Sequence, residues 1–240
     1  MLNFILNLFR RQKINLAHYP KPKTDYGALN AAQRNAMDNI LAACVESKDT
    51  ADIPEMTQAE FDAVVTHIGM HFGCERPSCN IALKRFDSLT KRHYAIVKPA
   101  IYAEVKAHQA ELDALIDTAL ATLCEGTTEY KLKQVCWWIA NHARYKPGTN
   151  NPLDLLDEGA MCGAYSMLFY KMATRLGVKA YICHGQLPGW QGGGPHAWNM
   201  VELDGKSYFY DVTWYDTSGR LPWFLHSKTN WGREYKLDER

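Results

Sequence analysis

Hydrophobic positions recur at helical spacing along much of the chain as far as about Leu176, then give way to short apolar runs divided by turns. Leu29, Ile40, Leu41, Cys44 and Val45 predict a helix over 28–46. A polar stretch, 47–56, reads as a loop. Thr57 and Glu60 make a capping-box pair ahead of Phe61, Val64, Val65 and Ile68, so a second helix should run to about Phe72-Gly73. Residues 80–86 and 92–102 are short and rich in β-branched and aromatic residues, which predicts two strands; Pro99 would make the second an edge or bulged strand. Val105, Leu112, Leu115, Ile116, Ala119 and Leu120 line one stripe of a helix over 103–123. Leu132, Val135, Cys136, Ile139 and Ala140 line another over 128–143, broken by "KPGTNNP".

A last helix is expected from Cys162 to about Leu176. Then come "VKAYICHG", "HAWNMVELDG" and "KSYFYDVTWY", three strand-like runs, with Asp204-Gly205 in "LDGK" as a hairpin turn. Helices followed by a small antiparallel sheet predict an α+β fold. Three regions follow: an amphipathic segment and Pro-rich linker over 1–27, a mainly helical region with short strands over 28–110, and a region of helices followed by the sheet over 111–240.

Composition narrows the class. A hydrophobic content of 47% and a charged content of 22% suit a globular protein with a full core. A net charge of +1 and the lack of a basic tract exclude a nucleic-acid footprint. Seven cysteines at irregular spacing do not read as a disulfide framework, which favours a reducing compartment; a cytoplasmic location is the expectation. No apolar run is long enough to span a bilayer. "MLNFILNLFRRQK" is apolar first and basic second, the reverse of a secretory signal. Its amphipathic face, over residues 1–16, could dock on the protein, a partner or a membrane surface. The oligomeric state is left open.

The chemistry concentrates in three places. Cys162, in "GAMCGAYS", opens a helix, where the dipole and free N–H groups favour a thiolate. His196 stands in "GPHAWN" and Asp211 in "YFYDVTW". If those runs pair through "LDGK", residues 199 and 210 face each other, and His196 and Asp211 come within side-chain reach. The acid would fix the imidazole tautomer and support its charged form. Taken singly, the cysteine reads as core filler, the histidine as a structural residue and the aspartate as a turn cap.

Together, "EYKLKQVCWWIANHARY", "GAMCGAYS" and "GPHAWNMVELDGKSYFYDVTW" resemble the transglutaminase-like superfamily of papain-type cysteine enzymes, over about residues 125–225. The departure is Ala164, where many relatives carry glycine. The resemblance implies a papain-like core, with a helical catalytic half packed on a small antiparallel sheet. It also implies a Cys162 nucleophile, a His196 base and an Asp211 orienter acting on peptide or carboxamide carbonyls, with a protein or peptide as substrate. The Cys162 N–H is one candidate oxyanion donor. A papain-like glutamine would fall at Leu156, so the second donor is open among Trp137, Trp138 and Tyr145.

"GQLPGWQGGGPH" reads as a rim over the cleft, with Trp190 as a substrate contact; Trp190 and Trp198 could form an aromatic recess for an acceptor. Hydrolysis is preferred over transfer to an amine, because no feature guarantees exclusion of water. A non-enzymatic binding module on the same fold is the alternative class. No calcium loop is visible, and no cofactor is expected. His67, His71, Cys74 and Cys79 are zinc-ligand types, but their spacing fits no standard finger, and no metal is the expectation.

Overall fold

The computed structural model describes residues 29–72, 81–187, 194–218 and 236–237. Its contacts divide the chain into two compact units, with the break between Thr118 and Ala119. The fold is α+β.

In the first unit, helix α1 (Ala31–Val45) begins at a reciprocal cap. The Gln33 N–H donates to Asn30 Oδ1 at 2.8 Å, and the Asn30 N–H donates to Gln33 Oε1 at 2.9 Å. Helix α2 (Gln58–Phe72) begins at the expected box: the Thr57 N–H donates to Glu60 Oε2 at 2.7 Å, and the Glu60 N–H to Thr57 Oγ1 at 3.2 Å. Ile40, Phe61, Val64, Val65 and Ile68 from these helices meet Ala82, Ala95 and Val97 in one core. Burying each large side chain contributes about 1.5–3 kcal/mol.

Those last three residues belong to a three-stranded antiparallel sheet of β1 (Thr50–Asp52), β2 (Ala82–Asp87) and β3 (Arg92–Val97), in the order β1-β3-β2. Two expectations change here. The polar stretch 47–56 contains β1, a strand formed by pairing with β3 rather than by its own pattern; it opposes Thr50 to Ile96 and Asp52 to Tyr94. And β3 is central, not an edge. It ends at Val97, and Pro99 instead opens helix α3 (Pro99–Ala121), where the missing N–H costs nothing because the first helical turn has no acceptor for it.

In the second unit, α4 (Thr128–His142) is capped by Thr127, and a 3-10 turn over Asp154–Leu156 interrupts the following loop. Helix α5 (Cys162–Arg175) then buries Tyr165, Met167, Leu168, Phe169, Met172 and Ala173. It packs on β4 (Lys179–Leu187) and β5 (Gly194–Leu203), and on α4. Strand β6 (Lys206–Tyr210) and β7 (Lys236–Leu237) complete an antiparallel sheet of order β6-β5-β4-β7. Asp204 and Gly205, at φ 50° and 71°, make the expected hairpin turn. The register follows: Asn199 lies opposite Tyr210. The third strand-like run is shorter than the sequence suggests. It stops at Tyr210, and "VTWY" enters helix α6 (Val212–Ser218).

Among the described residues, no helix is long and apolar enough to cross a membrane. No group of three or more His, Cys, Asp or Glu among them could hold a metal. The segment 1–27, the His71 side chain, Cys74, Cys79 and Trp190 lie outside the described residues.

Candidate active site

Cys162 is the first residue of α5. Its predecessor Met161 is extended (φ −87°, ψ 177°), and no side chain caps the helix, so the thiol shares the N-terminus with free backbone N–H groups. The segment leading to it is pinned. Met161 N–H donates to Thr149 O at 2.8 Å, Ala160 N–H to Arg144 O at 3.0 Å and Lys146 N–H to Ala160 O at 3.0 Å. Gly159 makes this approach possible. Its φ is +94°, and a Cβ there would lie 2.7 Å from Arg144 O.

His196 lies near the start of β5, and Asp211 follows the last residue of β6. The hairpin register brings them together: His196 Nε2 is 2.7 Å from Asp211 Oδ2. Asp211 is fully buried and does not lie on a strand, contrary to the sequence reading. It sits at the head of α6, where Oδ1 accepts the Trp214 N–H at 2.9 Å. Both carboxylate oxygens are therefore committed, one to the helix and one to the imidazole. That division fixes which oxygen the histidine meets.

Cys162 lies close enough to His196 to favour its charged form. With Nε2 given to Asp211, Nδ1 is the ring nitrogen left for the thiol. Burial opposes the charged imidazole, but the Asp211 charge, its hydrogen bond and Cys162 outweigh that penalty and raise the His196 pKa to about 10. His196 is thus an imidazolium at neutral pH, between a sulfur and a carboxylate. Such a group can support a thiolate and then deliver a proton.

Trp198, expected in an aromatic recess, is part of the core. It is fully buried, and its ring stacks beside His196 with centroids 6.0 Å apart. Alternation along β5 carries residues 196 and 198 to the same face, so the indole backs the imidazole.

Two supports were not singled out from the sequence. Asn199, buried in β5, donates from Nδ2 to Ser166 O at 3.0 Å, which ties α5 to the sheet, and to Tyr181 O of β4 at 3.2 Å. An amide in the apolar run "AWNMV" was the available signal, since a buried amide needs partners. Tyr165, one turn after Cys162, donates its hydroxyl to the carboxylate of Asp216 and ties α5 to α6. Burial raises the pKa values of both Tyr165 and Asp216. Nothing local marks this pair, because its members are 51 residues apart.

Residues 118–215 match the family described as the transglutaminase-like superfamily. This stretch belongs to the transglutaminase-like superfamily. The helix with Cys162, the strand with His196 and the turn with Asp211 all fall inside the transglutaminase-like stretch. Human kyphoscoliosis peptidase is similar at 28% identity over 132 residues, 48% of this chain. The match spans only 20% of that protein. Two solved structures are also similar. One, from Cytophaga hutchinsonii, is provisionally named a cysteine protease: 19% identity, 43% of this chain, 37% of that chain, TM-score 0.37. The other is named a TGase: 16% identity, 76% of this chain, 53% of that chain, TM-score 0.38.

Proposed function

We propose that the protein is a cysteine-dependent hydrolase of amide or peptide bonds, working through a Cys162 thioester. The observation that carries this reading is the juxtaposition of Cys162, His196 and Asp211, with His196 held as imidazolium between the other two.

The reaction follows from those positions. The Cys162 thiolate adds to the carbonyl carbon, and the carbonyl oxygen becomes negative. His196 gives its proton to the departing nitrogen as the C–N bond breaks, leaving a thioester and a neutral imidazole. A water molecule then adds to the thioester while His196 takes its proton. The C–S bond breaks, the acid leaves, and the thiolate–imidazolium pair is restored. Asp211 stays ionised throughout and holds the ring in place. The human relative is named a peptidase, which agrees with this chemistry.

The test is to incubate the protein with a glutaminyl peptide, with and without millimolar primary amine, and to resolve the products by mass. Free acid with Cys162 intact, and no turnover in Cys162→Ser, is the expected result. A dominant amine adduct would make the protein a transamidase. No turnover and no acylated Cys162 with any peptide would favour the binding-module reading.

A further inference from the structure

We propose that Tyr145 is the second oxyanion donor of this site, its phenolic O–H acting with the Cys162 backbone N–H on the carbonyl oxygen as that oxygen becomes negative. The inference rests on the cysteine-hydrolase reading above.

The backbone places it there. Tyr145 forms a parallel bridge with Ala160, two residues before the nucleophile. The bonds from Ala160 to Arg144 and from Lys146 to Ala160 flank that bridge on either side. Gly159 removes the Cβ that would push the two segments apart. The position of residue 145 is therefore set by the same contacts that set Cys162. Its ring lies 6.5 Å from that of Tyr165, on the first turn of α5, so the side chain lies along the nucleophile end of the helix.

The side chain is also available. Tyr145 is 43% exposed. Its ring is anchored on Tyr165, and its hydroxyl bonds to no described residue. Burial raises the phenol pKa, and the Cys162 charge raises it further. The hydroxyl thus keeps its proton at neutral pH, as a donor must, and lies within the field of the reacting sulfur. The Cys162 N–H, at the first position of α5, has no partner within the helix. Trp137 and Trp138 are poorer candidates. Both belong to α4 rather than to the segment bridged to Ala160, and Trp138 is stacked on His142 at 4.4 Å. In this role Tyr145 transfers no proton; it donates a hydrogen bond that strengthens as negative charge develops.

Two reactions of the same sulfur separate this role from a structural one. Acylation by p-nitrophenyl acetate develops an oxyanion; alkylation by iodoacetamide does not. Tyr145→Phe keeps the ring and removes only the hydroxyl. Its burst of p-nitrophenol should slow by about 10²- to 10³-fold, with alkylation of Cys162 within about twofold of the unsubstituted protein. Both rates are divided by the alkylatable Cys162 in each sample, which removes any difference in folded fraction. A burst of unchanged rate in Tyr145→Phe would overturn the assignment and leave the hydrolase reading standing. Equal slowing of burst and alkylation would overturn it too, by showing a structural role. Absence of any burst in the unsubstituted protein would defeat the hydrolase reading itself, and this inference with it.

Discussion

Replacing Asp211 with asparagine removes one charge and almost no volume. The amide can still cap α6 through its oxygen, accepting the Trp214 N–H as Oδ1 does now. The fold should therefore persist. What changes is His196. Its pKa of about 10 is reached against burial, through the Asp211 charge, the hydrogen bond from Nε2 and Cys162. Without the carboxylate, burial works against the support of Cys162 alone. A return from about 10 to the free value of about 6.5 amounts to about 5 kcal/mol less support for the imidazolium. The amide's N–H₂ can also face Nε2, which turns the ring into the opposite tautomer. The expected cost is about 10²- to 10⁴-fold in kcat for a peptide amide. A second readout is thermodynamic. A histidine whose folded pKa is raised contributes stability that is complete below its unfolded value near 6.5 and is lost as pH rises towards about 10. Urea melts from pH 6 to pH 10 should show this decline in the unsubstituted protein and a flatter profile in Asp211→Asn. Unchanged turnover together with an unchanged pH–stability profile would refute the claim that Asp211 sets the charge of His196.

Asn199→Ala should lower stability by about 2–4 kcal/mol in urea melts, since it strips a buried donor from both Ser166 O of α5 and Tyr181 O of β4; a loss below about 0.5 kcal/mol would show that neither bond contributes to stability. Tyr165→Phe leaves the half-buried Asp216 carboxylate without its donor, at a cost of about 1–3 kcal/mol. Burial raises the folded pKa of Asp216 and the Tyr165 hydrogen bond opposes this by supporting the ionised form, so the loss should grow as pH rises through its titration; a loss greater in acid would contradict this. Gly159→Ala meets Arg144 O at 2.7 Å in a left-handed backbone, and should cost at least about 1–3 kcal/mol and slow Cys162 alkylation, as melts and labelling rates can show.

The parts of the fold that could be read from sequence are those fixed by local chemistry. Asp204-Gly205 forces a two-residue turn, the turn fixes the register of β5 and β6, and the register sets Asn199 against Tyr210. Thr57 and Glu60 marked a helix start because their bonds lie within one turn. The parts that escaped depend on distant partners. Strand β1 has no apolar alternation and exists because β3 has an open side. Pro99 carries the same local preference at a strand end and at a helix start, and only the central place of β3 decides between them. Asp211 reads as the end of an aromatic strand, yet its second oxygen turns the chain into α6. From its sequence context Trp198 reads as part of an aromatic recess with Trp190; its burial depends on α5 lying across the sheet.

The most direct test of the account is which thiol reacts first with limiting iodoacetamide at pH 6, read by peptide mass mapping. An ordinary thiol is less than about 1% thiolate at that pH. Exposure alone would favour Cys124, which is exposed, over the partly exposed Cys162. Burial protects Cys44, whose pKa is pushed up to about 11, and raises Cys136 and Cys183 as well. Cys162 should be modified first, and His196→Ala should abolish this preference. Labelling of Cys124 ahead of Cys162, or a Cys162 rate indifferent to His196, would contradict it.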